Sequence, residues 1–570
     1  MKNKEVADAL KELALLIEIE GEDKFKPRAY FRAVRSVSSL GEDIEGIARR
    51  GELTEIPGVG KALAEKIQSF LKTGTIPLLE RLRTKIPVKV MELDAIPGVG
   101  PKTIKLVYDK LGVTDLESIE RAANEGKLAD LPGLGKKSQN QIIEGINLVK
   151  SGIGRTLLAD AMEVAEPLEE RLGGIKGVQN VVIAGSYRRR RETVGDIDFL
   201  VDASDPAAVM DSFVTFDGVS EVIAHGPTKS AIRLENRMQI DLRVIPSESF
   251  GAGMQYFTGS VDHNVHLRGI AIRQGLKLNE YGLYKGDKQV AGTSEEEIYT
   301  SLGLDPIPPE LREDWGEIEA AQSGKLPKLI ELGEIRGDLH THTDQSDGKN
   351  TIEEMLDAAS TKGYEYYCVS DHTQSLTIAN GLDEARLLKQ MDEIDDLNAS
   401  GRWKMRILKG AEVDILADGK LDIEDHVLSQ LDVVTASIHS RMKEDRKQMS
   451  ERVCHALENK HVHILGHPTG RLLLKRIQLE IDLEPVFETA KKSGVLMELN
   501  ANPERLDLNA GNLRAATRMG LKMAINTDAH KIIDLAFMRF GICQARRGWL
   551  TKNDVVNTYP FSKLMKVLKK

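Results

Sequence analysis

Three aspartates on two predicted strands could hold divalent metal ions. In "GDIDFLVD" the side chains of a strand alternate between its faces, so Asp196 and Asp198 share one face and the apolar residues share the other. In "RMQIDLRVI" the same alternation leaves Asp241 on the polar face. Mg²⁺ prefers carboxylate oxygens together with the phosphate oxygens of a substrate, and two ions about 3.5–4 Å apart serve in-line nucleotidyl transfer. These residues therefore predict a two-metal catalytic site.

A run of four arginines precedes two of these aspartates. In "GSYRRRRETVGDID" the turn amides, the Ser186 hydroxyl and the guanidinium groups are suited to bind a triphosphate. An isolated arginine run is more often a solvated basic loop. Here Gly185-Ser186 is followed ten residues later by Gly195-Asp196, and this spacing favours a nucleotide site.

A second set of candidate ligands lies after residue 335, where ten of the 13 histidines occur. His340 and His342 in "GDLHTHTD" are two apart on an extended segment, so both rings point the same way and can chelate one metal. Further candidates at the ends of predicted strands are Asp347, His372, Glu412, His439, His467, Asp528 and His530. Burying nine such groups without partners would be costly, and nitrogen and oxygen ligands suit either Zn²⁺ or Mn²⁺. The histidines interpreted as structural are His426, His455, His461 and His463.

The elements that must position these residues change along the chain. The first 150 residues contain three copies of Pro-Gly-apolar-Gly entering a helical pattern, "IPGVGKALAEKI", "IPGVGPKTIKLV" and "LPGLGKKSQNQI". The glycines allow close backbone approach, and the free amides at a helix start point toward anions. The glycines concerned are Gly58, Gly60, Gly98, Gly100, Gly133 and Gly135. These copies resemble helix-hairpin-helix motifs, which hold DNA by its phosphates without reading bases.

Residues 150–330 mix short predicted strands with helices, and a Pro-rich passage within 310–335 marks a boundary. Beyond it strands alternate with helices, as expected for a barrel of parallel strands with its site at the strand C-terminal ends. The net charge of −10 excludes a protein that coats nucleic acid through bulk positive charge, although residues 1–150 carry 25 Lys and Arg against 23 Asp and Glu. No apolar run is long enough to span a membrane and "MKNKEVADAL" has no signal-peptide core, which predicts a cytoplasmic protein.

Residues 1 to about 312 resemble a family X DNA polymerase of the polymerase beta type, through "AGSYRRRRETVGDIDFLV", "QIDLRVIP", "YFTGS" and "LNEYGLY". The resemblance implies that Asp196, Asp198 and Asp241 bind catalytic Mg²⁺ or Mn²⁺, with Asp241 aiding deprotonation of the primer 3′-hydroxyl. Nucleotide binding is assigned by the resemblance to Gly185, Ser186, Arg189, Gly195, Tyr256, Phe257, Asn264 and Arg268. The first four would line the triphosphate pocket, the next two would pack on the sugar, and the last two would check the nascent base pair. Val261 and Val265 stand where the vertebrate enzyme has an acidic and a basic residue.

The same resemblance implies a 5′-deoxyribose phosphate lyase in the N-terminal domain, acting through a lysine Schiff base. Such an amine needs a pKa lowered by neighbouring positive charge. Lys66 in "GKALAEKIQ" matches the nucleophile, and Lys26 matches a lysine that contacts the 5′-phosphate. A further supporting lysine of the family falls on Ala62, next to Lys61, so the lyase pattern is incomplete.

The order of the nine candidate ligands resembles the PHP domain of polymerases and histidinol phosphatases, whose trinuclear metal site cuts phosphoesters. The resemblance assigns the first metal to His340, His342, Glu412 and Asp528. Glu412 would bridge to a second metal held by His439 and His467, and the third would be held by Asp347, His372 and His530. All nine positions match, which predicts an intact site for up to three Mn²⁺ or Zn²⁺ ions.

We therefore predict a multidomain chain with an all-α helix-hairpin-helix N-terminal domain, an α+β nucleotidyltransferase palm with a thumb, and a C-terminal α/β PHP barrel. The predicted segments are 1–85 (lyase-like helical domain), 86–152 (helical fingers), 153–245 (palm), 246–312 (thumb), 313–335 (linker) and 336–570 (PHP barrel).

The predicted function is a monomeric DNA polymerase that fills short gaps in DNA repair, with gapped or primer-template DNA and dNTPs as partners and no membrane partner. The PHP barrel would add a 3′–5′ exonuclease. Two alternatives remain open. The barrel could be a small-molecule phosphatase, or the whole protein could be a DNA-end-binding scaffold. A scaffold would not need three intact aspartates and nine intact ligands.

Overall fold

The computed structural model describes residues 2–21, 26–38, 40, 43–96, 98–151, 155–442, 444–474, 476 and 478–569, without the side chains of residues 4, 26, 35, 38, 137, 141, 144, 147, 148, 150 and 151. The chain divides into two compact units, residues 1–155 and 156–570. In the described part of the chain, no helix is both long and apolar enough to cross a membrane.

The first unit is helical. Its helices are α1 (Asn3–Glu20), α2 (Lys26–Ser38), α3 (Ile44–Arg50), α4 (Lys61–Thr73), α5 (Pro77–Lys85), α6 (Val90–Asp94), α7 (Pro101–Leu111), α8 (Leu116–Asn124) and α9 (Lys136–Ser151). One apolar core runs through the unit, and α1 contributes a nearly continuous apolar stretch to it. Each Pro-Gly-apolar-Gly copy ends where a helix begins, at α4, α7 and α9, as the repeat predicts.

The second unit begins with the palm, which contains a five-stranded mixed sheet and a separate antiparallel pair of short strands. Its elements are β1 (Thr156–Leu157), α10 (Leu158–Gly173), β2 (Val178–Ile183), α11 (Gly185–Arg188), β3 (Thr193–Val194), β4 (Asp196–Ala203), α12 (Pro206–Val214), β5 (Val219–His225), β6 (Lys229–Leu234) and β7 (Gln239–Val244). The strand order is β2-β4-β7-β6-β5, in which β4 and β7 are parallel and the other pairs antiparallel. Ile197, Phe199 and Val201 are buried with Ile240 and Leu242 in one core, as the alternation predicts.

The thumb follows the palm and continues into the Pro-rich passage. Its elements are α13 (Ser247–Thr258), α14 (Val261–Arg273), β8 (Lys277–Asn279), β9 (Gly282–Lys285), β10 (Lys288–Ala291), α15 (Glu295–Ser301) and α16 (Glu317–Gln322). In the segment 313–335, Ile318 and Leu329 are buried in the thumb core, while Ile330 is buried in the core of the C-terminal barrel. This segment therefore packs on both neighbours.

Seven parallel strands form the C-terminal barrel. Its elements are β11 (Gly337–Asp338), α17 (Ile352–Thr361), β12 (Tyr366–Val369), α18 (Glu384–Ser400), β13 (Arg406–Asp414), α19 (Asp425–Leu428), β14 (Val433–Ser437), α20 (Arg446–Leu457), β15 (Ile464–Leu465), α21 (Leu483–Ser493), β16 (Leu496–Asn500), α22 (Ala510–Arg518), β17 (Met523–Asn526), α23 (Met538–Arg547) and α24 (Phe561–Leu568). The strands pair in chain order, and a parallel bridge between Thr341 and Ala529 brings the first and last strands together. Leu564 and Leu568 of α24 are buried with residues from β12 to β17 and with Leu339, which directly follows β11. The barrel is thus nearly closed, and its other end is free to carry a site.

Candidate metal centres and nucleic-acid surfaces

The three palm aspartates lie on the two parallel strands at the centre of the sheet. Asp198 of β4 is paired with Asp241 of β7, and Asp196 is paired with Gln239. Gln239 donates a hydrogen bond from Nε2 to Asp241 at 2.7 Å. Burial raises the pKa of Asp198 to about 7, and the charges of Asp196 and Asp241 add to that rise. A divalent cation would relieve this repulsion, so the donor set fits a metal.

The turn between β2 and β4 approaches these carboxylates closely. Gly185 has a φ of +62°, and a Cβ at this position would lie 2.8 Å from Oδ2 of Asp198. Only glycine therefore meets both the backbone and the steric requirement here. Ser186 follows in α11, and Gly195, which is exposed, directly precedes Asp196. The structure thus places Gly185 against Asp198, with Ser186 next to Gly185 in the chain and Gly195 next to Asp196; their contacts with a triphosphate stay predictions.

The four arginines all have protein partners in this structure. Arg188 donates to Glu295 at 2.6 and 2.7 Å, and Arg189 donates to the carbonyl of Thr258 and, at 3.2 Å, to Glu313. The guanidinium of Arg190 lies 5.3 Å from the ring centre of Tyr187. Arg191 donates to Glu313 at 3.4 Å. The Arg189 guanidinium is directed toward Thr258 and Glu313, and its contact with a triphosphate stays a prediction.

The thumb residues predicted to contact the sugar and base pair are joined by hydrogen bonds and one ring contact. Asn264 donates from Nδ2 to the Tyr256 carbonyl at 2.7 Å, and Arg268 donates to the Asn264 carbonyl at 3.2 Å. The rings of Tyr256 and Phe257 meet edge to face at 5.2 Å.

Two valines on the same helix present apolar surface to solvent. The exposed fractions of Val261 and Val265 are 76% and 54%. Both positions, at which this sequence departs from the family, are therefore accessible to a molecule that approaches the thumb helix α14.

The helix-hairpin-helix turns share one backbone geometry. Gly58, Gly98 and Gly133 adopt φ values of +82°, +84° and +84°. Gly60 and Gly100 are extended residues that directly precede α4 and α7, and Gly135 directly precedes α9. The exposed lysines at the start of these helices are Lys61, Lys102 and Lys136. Positive φ values allow the chain to turn so that the first amides of each helix face outward, the arrangement that binds phosphate.

We expect the affinity for gapped DNA to fall steeply with salt and to depend little on sequence. Each phosphate neutralised releases counterions, with a slope of about −0.9 in log K against log salt concentration. Fluorescence anisotropy of labelled gapped duplexes at increasing KCl concentration checks this expectation, with two unrelated sequences as matched ligands. A flat salt response or a strong preference for one sequence would contradict phosphate binding by these turns.

Lys66 is half-buried on α4, and its Nζ donates to the carbonyl of Ala62 at 3.0 Å. The side chain of Lys26 lies outside the described residues.

The nine barrel candidates meet around one buried carboxylate, that of Glu412. The imidazole nitrogens that lie 2.9 to 3.6 Å from its oxygens belong to His340, His342, His372, His439 and His467. Asp528 lies 3.1 Å from His342, and Asp347 lies 3.6 Å from His372 and 3.3 Å from His530. The structure therefore brings together all nine residues that the sequence predicts.

Three groups within this cluster are close enough to share an ion. Their ligand atoms lie within 4.8 Å of one another, and the groups are His342-Asp347-His372-His530, His340-His342-Glu412 and His372-Glu412-His439. His342 and His372 each belong to two groups, whereas the resemblance gives each of them to one metal. Among the described residues such close groups occur only in the barrel.

The unpaired atoms of the cluster fit metal ions. The buried atoms without a hydrogen-bond partner in the described structure include Nε2 of His340, both ring nitrogens of His342, Nδ1 of His372 and Oε2 of Glu412. Burial and the charges of His530 and His372 lower the pKa of His342 to about 3. Its ring is therefore neutral, the form that binds a metal. Orphaned donors and acceptors at this depth are costly unless an ion satisfies them.

Two carboxylates that sequence reasoning missed orient these rings. Glu498 accepts from Nδ1 of His340 at 2.8 Å, and Asp414 lies 3.3 Å from Nδ1 of His439. In both cases the other ring nitrogen is left facing Glu412. Such partners fix the tautomer and the orientation of a metal-binding histidine. The signal in the sequence is a single acidic residue inside an apolar strand, as in "GVLMELN".

Four family models match the chain. They are a helix-hairpin-helix domain (residues 1–76), a SAM-like helix-hairpin-helix tandem (90–147), the DNA polymerase beta thumb (253–313) and the PHP domain (338–502). Together with the parallel barrel they confirm the predicted fold class.

Curated relatives extend this similarity to the whole chain. The "DNA polymerase/3'-5' exonuclease PolX" of Bacillus subtilis (strain 168) is 38% identical over 561 residues, which are 98% of this chain and 97% of the relative. DNA polymerase lambda of Rattus norvegicus is 27% identical over 55% of this chain and 56% of its own. A "Probable phosphatase" of Thermoanaerobacter sp. (strain X514) is 30% identical over 39% of this chain and 89% of its own. With nearly every residue aligned to one relative and with helical, thumb and PHP segments in the same chain, this protein belongs to the PolX family of DNA polymerases.

Proposed function

We propose that the protein is a DNA-directed DNA polymerase that fills short gaps during DNA repair and that its barrel is a metal-dependent 3′–5′ exonuclease. The observation that carries the proposal is the presence of both complete donor sets in one compact unit. Three carboxylates lie on adjacent palm strands, and nine ligands meet around Glu412. The full-length similarity to a relative named for both activities supports it.

At the palm, Asp196, Asp198 and Asp241 would hold Mg²⁺ or Mn²⁺. Such ions supply charge stabilisation to the attacking and leaving oxygens. Asp241 accepts the proton of the primer 3′-hydroxyl. The backbone at Gly185 and Gly195 and the Ser186 hydroxyl bind the triphosphate oxygens, together with Arg189. Sugar and base-pair contacts fall to Tyr256, Phe257, Asn264 and Arg268.

At the barrel, the nine residues would hold up to three Mn²⁺ or Zn²⁺ ions. These ions supply Lewis acidity at the scissile phosphate. Glu498 and Asp414 keep His340 and His439 in the orientation and tautomer that face the ions. The ring centre of His342 lies 4.4 Å from that of His372 and 4.2 Å from that of His530, so His342 contacts two of the residues assigned to the third ion.

The remaining assignments follow from the substrate. The glycines of the three turns hold the phosphates of gapped or primer-template DNA, and dNTPs enter at the palm. Segments 1–85, 86–152, 153–245, 246–312, 313–335 and 336–570 act as lyase-like domain, fingers, palm, thumb, connector and nuclease. We further propose that the chain works as a monomer in the cytoplasm, where it meets nucleoid DNA.

The experiment that tests this function uses one gapped duplex labelled on the primer strand. With dNTPs and Mn²⁺ the primer should extend to the end of the gap, and without dNTPs it should shorten from its 3′ end. Both changes should stop in EDTA, because both sites need metal. A phosphate monoester and a 5′-labelled strand serve as controls. Hydrolysis of the monoester with no shortening of DNA would favour the phosphatase alternative, which the similarity to the probable phosphatase raises.

We expect weak 5′-deoxyribose phosphate lyase activity at Lys66. Borohydride should trap a covalent adduct with a 5′-deoxyribose phosphate end, because reduction fixes the Schiff base of the attacking amine. Lys66→Ala should lower the yield of this adduct. Lys72→Ala is a matched control on the same helix, and it should trap as the wild type does. An unchanged yield with Lys66→Ala would assign the nucleophile to another amine.

A further inference from the structure

The barrel contacts the palm at the loop that carries the four arginines. We call residues 185–192 the arginine loop. At its end Glu192 accepts hydrogen bonds from Arg471 at 2.8 and 3.1 Å and from Nε2 of Gln544. Arg547 donates to the carbonyl of Arg189 at 2.8 Å. Arg471 follows β15 and the other two donors lie on α23, so all three belong to the barrel.

A second carboxylate, that of Glu313, joins the same partners. It accepts from Arg547 at 3.1 Å, from Arg189 at 3.2 Å and from Arg191 at 3.4 Å. Burial alone raises the pKa of Glu313, but Arg547, and after it Arg189 and Arg191, bring that pKa below its usual value. The exposed fractions of the Arg547 and Glu313 side chains are 6% and 10%. Charge-assisted bonds so far from water are strong, and the loss of one partner leaves a buried charge uncompensated.

The backbone of the arginine loop needs such support. Arg190 has a φ of +55°, a conformation that a non-glycine residue keeps only when its surroundings hold it. The loop also concentrates four like charges within four residues. At its start Gly185 lies against the carboxylate of Asp198, so a shift of the loop would move its amides relative to the aspartates.

We propose that the barrel positions the arginine loop for dNTP binding, with Arg547, Gln544 and Arg471 as positioning residues for the polymerase reaction. This inference rests on the proposed role of the loop in the triphosphate pocket. None of the three touches the nucleotide. They act by holding the loop backbone at Arg189 and the carboxylates of Glu192 and Glu313.

The test compares two neighbouring arginines on α23 in the full-length protein. Arg547→Gln should raise the KM for dNTP about tenfold and leave kcat within about twofold, because the loop binds the triphosphate less well once two charge-assisted bonds are lost. Arg547→Lys keeps one charged donor and should give an intermediate KM. Arg546→Gln is the matched control, since its guanidinium binds Glu310 at 2.7 Å and the Ile330 carbonyl. Its KM should equal that of the wild type.

The nuclease rate on a single strand without dNTPs reports whether each variant is folded, and it should stay at the wild-type value. If Arg547→Gln also loses nuclease activity, the variant Glu192→Gln is used instead. It keeps the shape of the side chain and removes its charge, and we expect the same rise in the KM for dNTP. Ser186→Ala tests the role of the loop in triphosphate binding separately from the role of the barrel. An unchanged KM in Ser186→Ala would reject the assignment of the loop to the triphosphate. A raised KM in Ser186→Ala, with an unchanged KM in folded Arg547→Gln or Glu192→Gln, would overturn the positioning role of the barrel.

Discussion

Asp198→Asn should abolish nucleotide addition, by more than about a thousandfold in kcat, while DNA binding stays near the wild-type value. The change keeps the shape of the side chain and removes the central charge of the predicted metal site. The expected loss of rate corresponds to several kcal/mol of transition-state stabilisation. The phosphate contacts of the helix-hairpin-helix turns lie in the other unit and are untouched. Single-nucleotide extension on a gapped duplex measures the rate, and anisotropy measures binding.

The fold provides its own check on this variant. The pKa of Asp198 is raised to about 7 in the folded protein. In the metal-free protein the folded state therefore loses stability as the pH rises from the pKa of this carboxyl in the unfolded chain toward 7, because the unfolded chain ionises more readily. Asn removes that penalty, and the melting temperature of the metal-free variant at pH 8 should not fall. Asp202→Asn, on the same strand and bonded to Ser247 at 2.8 Å, is the matched control and should extend primers normally. More than a trace of synthesis by Asp198→Asn would reject the two-metal assignment.

Replacing His340 and His342 by Ala should lower nuclease activity by more than about a hundredfold, since even an outer-shell change costs ten- to a hundredfold at a metal site. The two residues supply most of one close group, and His342 also belongs to a second. Glu412 and Asp528 alone could not hold an ion tightly. Gap filling should persist, because no palm carboxylate belongs to this cluster. Release of nucleotides from a 3′-labelled strand measures the nuclease, and metal content measured by mass spectrometry should fall with it.

The control for this double variant is His426→Ala. His426 is exposed on α19 and is interpreted as structural, so its nuclease rate and metal content should match the wild type. If the double variant digests the 3′-labelled strand at the wild-type rate, the barrel cluster is not the nuclease site and the proposed function of the barrel is rejected.

Residues that carry chemistry in local patterns could be found from the sequence. Asp196 and Asp198 reveal a strand face by alternation over three positions, and His340 and His342 do the same. Most barrel strands are short apolar runs with a polar candidate ligand at or just after their C-terminal end, as at His439 after β14. In these places local pattern and final structure agree, and the nine candidate residues come together at the strand ends.

What the sequence could not supply is the set of partners that lie far away in the chain. Nothing near Arg189 indicates that Thr258, Glu313 and Arg547 will surround it. Glu498 is separated from His340 by 158 residues, and only the folded barrel shows their contact. Strand β6, with "KSAIRL", is not indicated by its own residues either, because it is short and begins with a charged and a polar residue. Such pairs form only through tertiary packing, which local sequence patterns do not indicate.

The distance in sequence between Glu192 and its barrel donors also sets an order on folding during synthesis. Arg471 and Gln544 follow Glu192 by 279 and 352 residues, and Arg547 follows Arg189 by 358. At the usual speed of translation the last of these donors emerges about 20 to 70 s after Arg189. Until then the palm sheet can form, but its arginine loop lacks the donors of α23. A nascent chain therefore completes its polymerase pocket only after nearly all of its nuclease has left the ribosome.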